Sequence, residues 1–146
     1  MTFYKKELKR LKNTIYANNH QLSIVIRTRA FINNNLEKNL DLEVLARNCF
    51  VSKFHLIRLF KKYYGQTPGR FIRTKRIEVA QVLLAKGQPV TETCYAVGFR
   101  NPSSFSTLFK KKTSLAPSEF QKKQFSQSLL NEVSPSSPPR IQKSIK

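Results

Sequence analysis

Lys53, Phe54, Ile57, Arg58 and Lys61 recur at the spacing of one helical face, and they mix cations with apolar groups. Such a mixture is an odd face to show to water. A DNA major groove accepts it, because guanine offers acceptors to arginine, thymine offers a methyl to apolar side chains, and phosphates attract lysine. Arg58 is the best candidate to touch a base, with Lys53, Phe54 and Ile57 beside it; Lys61 and Lys62 fit phosphates. A second group, Ser103, Ser104, Ser106 and Thr107, carries hydroxyls that bond to phosphates or to almost any base edge, and Lys110 and Lys111 follow it as phosphate partners. This second face is expected to discriminate less than the first. Ser52 and Asn101, one ahead of each group, complete the expected phosphate set.

Helices must position both groups. Ser52 can accept a bond from the free N–H groups of a helix starting at Lys53, and Gly65 marks its stop. Leu56, Leu59, Phe60, Tyr63 and Tyr64 form its core stripe. Asn101 followed by Pro102 is a strong helix start, with Phe105, Leu108 and Phe109 facing inward. Upstream, between Gln21 and Lys38, Val25, Ile32 and Leu36, flanked by Ile24 and Phe31, suggest a packed helix ending near Asn39. Asp41 then caps a short helix, LEVLARN, with Leu42, Leu45 and Ala46 inward. A short helix, a turn and a helix with an exposed basic face make a helix-turn-helix over residues 41–65.

That unit occurs twice. LFKK at Leu59–Lys62 returns at Leu108–Lys111, 49 residues on, and the same offset pairs Leu56 with Phe105, Pro68 with Pro117 and Phe71 with Phe120. Ahead of the turns the offset is 48, pairing Leu42 with Val90, Ala46 with Cys94 and Val51 with Phe99. A duplicated helix-turn-helix explains the agreement, with the second unit over residues 90–114 and Gly98 in its turn. Between the copies, residues 69–86 form one long helix bearing Ile72, Ile77, Ala80, Leu83 and Leu84. Its 18 residues span about 27 Å, close to the roughly 34 Å between successive major-groove faces on one side of B-DNA. A last helix opens at Pro117 and ends near Phe125. Residues 126–146, with SPSSPP and IQKSIK, are expected to be a disordered tail.

Composition points the same way. The 146 residues carry 27 Lys and Arg against 8 Asp and Glu, a formal charge of +19 that calls for a polyanionic partner. Residues 21–125 alone hold 19 basic and 6 acidic side chains, a net +13, so the excess is not confined to a tail. Residues 1–20 are basic with Tyr4, Leu8, Leu11 and Ile15 at helical spacing; a solvated, frayed arm making weak phosphate contacts is the expectation, with a docking helix as the alternative. Four apolar anchors make a feeble membrane helix, and no apolar run reaches a membrane span or the core of a signal peptide. Cytoplasm is the default. Cys49 and Cys94 fit reduced, buried thiols, and His20 and His55 are too scattered to complete a zinc site with them. No phosphate loop, nucleophile elbow or metal cluster appears, so neither an enzyme nor a cofactor is expected.

The runs NLDLEVLA, SKFHLIRLFKKYYGQTPGRFI and RIEVAQVLLAKGQPVTETCYAVGFRNPSSFSTLFKKKTSLAP resemble the DNA-binding domain of the AraC/XylS family of bacterial transcription regulators, over about Gln21 to Phe125. The resemblance implies an all-α, homeodomain-like fold of about seven helices, two helix-turn-helix subdomains joined by a long helix, and binding to promoter DNA with activation through RNA polymerase. It departs from the family pattern at Cys94 (usually alanine), at Ser114 and Ala116 (usually glycine and threonine), at Gln121 (usually arginine) and at Thr107, where an outward arginine is common. Cys94 is a near-isosteric swap that threatens little; Ser114, Ala116 and Gln121 are expected to weaken the end of the second unit, and Thr107 fits looser recognition by its helix. Residues 1–20 are too few for the N-terminal ligand-binding and dimerisation domain of longer members.

The expectation is therefore a sequence-specific transcription factor of the bacterial cytoplasm and nucleoid. It would act as a monomer and set two recognition helices into successive major-groove faces of double-stranded promoter DNA. The alternative is a basic helical protein that coats nucleic acid without reading sequence; two matched readers at a fixed separation favour the former.

Overall fold

The computed structural model describes residues 2–133, in which seven α-helices and no strand occur. α1 (Thr2–Asn34) runs unbroken for 33 residues, through a stretch that holds neither glycine nor proline. The solvated arm expected at residues 1–20 is thus the first half of a helix, although its side chains are almost all exposed. The helix ends at Asn34, earlier than the expected Asn39, within an asparagine run where the Asn35 amide donates to the Phe31 carbonyl at 2.8 Å and competes with the helical ladder.

α2 (Leu42–Asn48) starts on Asp41, whose Oδ1 accepts from the Val44 N–H at 2.9 Å; α3 (Lys53–Tyr64) follows one tight turn later. α4 (Pro68–Ala85) has proline at its first position and Thr67 Oγ1 accepting from the Arg70 N–H at 3.2 Å. α5 (Val90–Ala96), α6 (Pro102–Thr113) and α7 (Pro117–Val133) complete the described residues. α7 continues to Val133, past the expected end at Phe125, and the rest of the expected tail, 134–146, lies outside the described residues.

The chain divides into two compact units between Arg76 and Ile77. In the first, Ile24, Val25 and Ile32 of α1 bury against Leu45 and Ala46 of α2, Leu56, Leu59 and Phe60 of α3, and Phe71 and Ile72 of α4. In the second, Ile77, Ala80 and Leu84 of α4 bury with Cys94, Val97, Phe105 and Phe109. Each fully buried Leu, Ile or Phe contributes about 1.5–3 kcal/mol. Both thiols are free and buried, as expected, and burial raises the Cys94 pKa, which keeps that thiol protonated and unreactive.

The sequence repeat is a repeat of geometry. Phe60 meets Phe71 edge-on at 5.4 Å and 69°, and 49 residues later Phe109 meets Phe120 at 5.4 Å and 73°. In the turns, the Val51 N–H donates to the Ala46 carbonyl and the Phe99 N–H to the Cys94 carbonyl, both at 3.1 Å. The backbone turns left-handed at Phe50 (φ 58°) and Gly98 (φ 99°) in those turns, and at Gly65 and Ser114 (both φ 73°) where α3 and α6 end.

The end of the second unit is held by its own contacts where the usual family residues are missing. The Glu119 carboxylate, inside α7, accepts from the Ala116 N–H at 3.0 Å and so supplies one half of a capping box; the other half, the hydroxyl that Thr67 provides to the Arg70 N–H in the first unit, has no counterpart at Ala116. Gln121 Nε2 donates to the Leu84 carbonyl at 3.1 Å and the Gln88 carbonyl at 2.7 Å, satisfying the end of α4. In the first unit, Arg76 ties α4 to the segment after α1 through the Leu36 and Lys38 carbonyls, at 3.1 and 2.8 Å.

Candidate nucleic-acid interface

α3 turns its apolar stripe into the first core, which leaves its other side for solvent. Ser52 Oγ accepts from the His55 N–H at 3.1 Å, fixing the helix start and leaving the serine hydroxyl proton to donate outward. Ser52, Lys53, Phe54, Arg58, Lys61 and Lys62 are exposed, and Phe54 keeps 67% of its surface in water. Ile57 is half-buried: it lines an apolar cleft with Leu40, Leu42, Leu45 and Ile72.

The cations on this face are partly engaged. Lys53 Nζ pairs with Glu43 Oε2 of α2 at 3.3 Å; Lys62 Nζ donates to Gln21 Oε1 at 3.1 Å and lies 5.4 Å from the centre of the Tyr63 ring. Arg58 Nη2 stands 3.4 Å from His55 Nδ1, a contact too long to hold a guanidinium firmly. His55 is half-buried and serves the helix start through its backbone. Lys61 and Lys62 also sit in the last turn, where cations favour the negative end of the helix dipole.

α6 repeats the design with other side chains. Asn101 Oδ1 accepts from the Ser103 N–H at 2.7 Å and the Ser104 N–H at 3.2 Å, so the carbonyl of that amide is occupied and its NH₂ remains to donate. Phe105 and Phe109 are buried and Leu108 half-buried; Ser103, Ser104, Thr107, Lys110 and Lys111 are exposed, and Ser106 is half-buried. Lys110, Lys111 and Lys112 crowd the last turn.

Within each unit the expected base and phosphate residues therefore share one helix and its cap. Exposed Arg47 and Phe50 near the start of α3, and Arg100 directly before Asn101, were not anticipated. They lie at or next to turns, where helical periodicity carries no signal; position beside a cap was the available clue.

A family model described as a helix-turn-helix domain matches residues 45–123, more than half of the chain and through both units. The multiple antibiotic resistance protein MarA of Escherichia coli K12 is 32% identical over 92 residues, 62% of this chain and 72% of MarA. The chain belongs to the AraC/XylS family of transcription regulators. Among other relatives in that family, an HTH-type regulator in the cgkA 5′ region of Pseudoalteromonas carrageenovora is 37% identical over 99 residues, 68% of this chain and 59% of that protein. The chain thus spans under two thirds of that regulator's length. The same AraC-type fold appears in the DNA-binding domain of AdpA, solved with a target DNA, at a TM-score of 0.68 and 24% identity, covering 70% of this chain and 94% of that one. As in the family at large, the architecture is all-α, and among the described residues no helix is long and apolar enough to cross a membrane.

Proposed function

We propose that this AraC-family protein is a sequence-specific regulator that inserts α3 and α6 into successive major-groove faces of promoter DNA. The observation that carries the reading is the duplicated reader: two 12-residue helices, each capped by a side-chain oxygen and ended by a left-handed residue, with the core stripe inward and a polar face outward at equivalent positions. Arg58, Lys53, Phe54 and Ile57 of α3 and Ser103, Ser104, Ser106 and Thr107 of α6 take the base edges. Ser52, Asn101, Lys61, Lys62, Lys110 and Lys111 take phosphates. One chain is the binding unit, and because its two faces differ, the site it reads is asymmetric.

AdpA's complex with a target DNA supports DNA as the partner. Family membership supports a promoter as the location of the site and RNA polymerase as the second partner. A bacterial regulator of this kind works in the cytoplasm, on the nucleoid.

Selection of bound sequences from a random DNA pool, followed by competition against bulk DNA, tests the reading. An asymmetric consensus with two blocks about one helical turn apart is the expected result. No enrichment, with bulk DNA competing equally, would instead identify a coating protein.

A further inference from the structure

Phe50 holds an aromatic ring where the fold itself gains nothing from one. Its backbone is left-handed, at φ 58°, a conformation that penalises any residue with a Cβ, and 88% of its surface is exposed. The matching position of the second unit is Gly98, at φ 99°, so this turn forms without a side chain there. The neighbours of Phe50 hold its backbone still. Cys49 is buried in the first core and Val51 packs against that core, while the Phe50 N–H donates to the Arg47 carbonyl at 3.2 Å and the Val51 N–H to the Ala46 carbonyl at 3.1 Å. The ring is thus mounted outward on a fixed turn. A strained residue on an over-determined backbone, with its ring in water, points to a contact made outside the chain.

Position and chemistry narrow that contact. Phe50 stands two residues ahead of Ser52, the cap of α3, and in a helix-turn-helix the N-terminal end of the second helix is the end that meets base edges. The turn before it therefore comes down at the rim of the groove, over a strand of the backbone. Two residues span at most about 7 Å, so the ring reaches the sugar next to the phosphate that takes the Ser52 hydroxyl. A phenyl ring offers a phosphate no donor, but deoxyribose presents C–H groups to it. Arg47, exposed in the last turn of α2, and Lys53, exposed at the start of α3, bracket the ring with cations, and the Glu43 carboxylate is already paired with Lys53. A polyanion fits that setting better than an apolar protein surface does. We propose that Phe50 packs its ring across a backbone deoxyribose at the edge of the groove entered by α3, adding affinity that carries neither base identity nor salt dependence. This rests on the reading of α3 as a groove-inserted helix.

The full chain is titrated by fluorescence anisotropy against the duplex selected from the random pool and against an unrelated duplex of equal length. Phe50→Gly should weaken both about five- to twenty-fold, with the ranking of single-base variants and the slope of log affinity against log salt unchanged. Phe50→Asn, which tolerates the left-handed backbone and has no ring, should match it, whereas Phe50→Tyr should stay within about two-fold of the parent. The melting temperature should rise rather than fall in Phe50→Gly, so lost binding is not lost folding. Hydroxyl-radical footprinting, which cleaves DNA at its sugars, locates the contact: one protected sugar beside the block read by α3 should become cleavable in Phe50→Gly while the other protections remain. Unchanged affinity in Phe50→Gly and Phe50→Asn overturns the proposal, as does a loss confined to one thymine-bearing pair, which would make Phe50 a base contact. Arg58→Ala, run alongside, tests the groove reading separately. If it leaves base preference intact while Phe50→Gly still loses affinity and its protected sugar, the sugar contact stands and base reading by Arg58 fails; relaxed preference in Arg58→Ala beside an unchanged Phe50→Gly sinks the sugar contact alone.

Discussion

Lys53 Nζ lies 3.3 Å from Glu43 Oε2, so the first cation of the α3 face is already paired with a carboxylate on α2 before any DNA arrives. Both side chains are well exposed, and the pair can open toward a phosphate or a base at little cost. Glu43→Gln removes the competing acceptor and one negative charge next to the reader. Affinity for DNA of any sequence should rise roughly two- to five-fold, measured by fluorescence anisotropy at fixed salt. An unchanged affinity would mean that Lys53 stays out of the contact.

Arg58 and the α6 hydroxyls should divide the work unequally. Arg58→Ala removes a guanidinium that can donate two bonds to guanine; it should cost about 1–3 kcal/mol and relax preference at one base pair. Replacing Ser103, Ser106 and Thr107 together with alanine should blur selectivity less than Arg58→Ala alone. Binding to a panel of single-base operator variants ranks the two helices, and a larger loss from the triple change would reverse the order.

Salt should weaken binding steeply. With a net +13 over residues 21–125, six to ten phosphate contacts would lower affinity by roughly 10³ to 10⁵ between 50 and 200 mM salt. Lys110→Ala should weaken all sequences about equally and reduce the slope of log affinity against log salt by about one unit. A nearly flat salt response would remove phosphate contact as the main source of affinity.

Phe50 bears a side chain at φ 58°, where the matching residue of the second unit is Gly98, and 88% of its surface is exposed. Little burial is lost on its removal. Phe50→Gly relieves about 1–2 kcal/mol of left-handed strain and gives back about 0.5–1 kcal/mol in unfolded-chain entropy. The net gain of about 0.5–1 kcal/mol should raise the melting temperature by a few degrees in calorimetry.

The core and the two helices α3 and α6 with their exposed faces were legible because their signals are local. Leu56, Leu59 and Phe60 repeat at helical spacing, Ser52 and Asn101 are capping residue types, and Phe60, Phe71, Phe109 and Phe120 carry the duplication in their spacing alone. Other features depend on groups distant in sequence. The Lys53–Glu43 pair spans a turn, and Gln121 reaches carbonyls 33 and 37 residues upstream; periodicity carries neither. The continuity of α1 went unread for another reason: an amphipathic segment with no core partner looks like a loose terminus, and only the absence of glycine and proline across Thr2–Asn34 argued otherwise.

Each copy of the helix-turn-helix has two left-handed backbone positions, and each fills one with glycine and the other with a residue bearing a side chain: Phe50 with Gly65, and Gly98 with Ser114. The two copies have therefore drifted in complementary directions, each tolerating one such replacement at a different place. That distribution sets the room left for mutation. A second replacement within one copy, Gly65→Ala or Gly98→Ala, would add about 1–2 kcal/mol of left-handed strain to a short unit that already carries one such residue, against a typical domain stability of about 5–15 kcal/mol. Random mutagenesis under selection for a folded chain should find Gly65 and Gly98 the least replaceable of the four positions, and Phe50 and Ser114 open to glycine and asparagine.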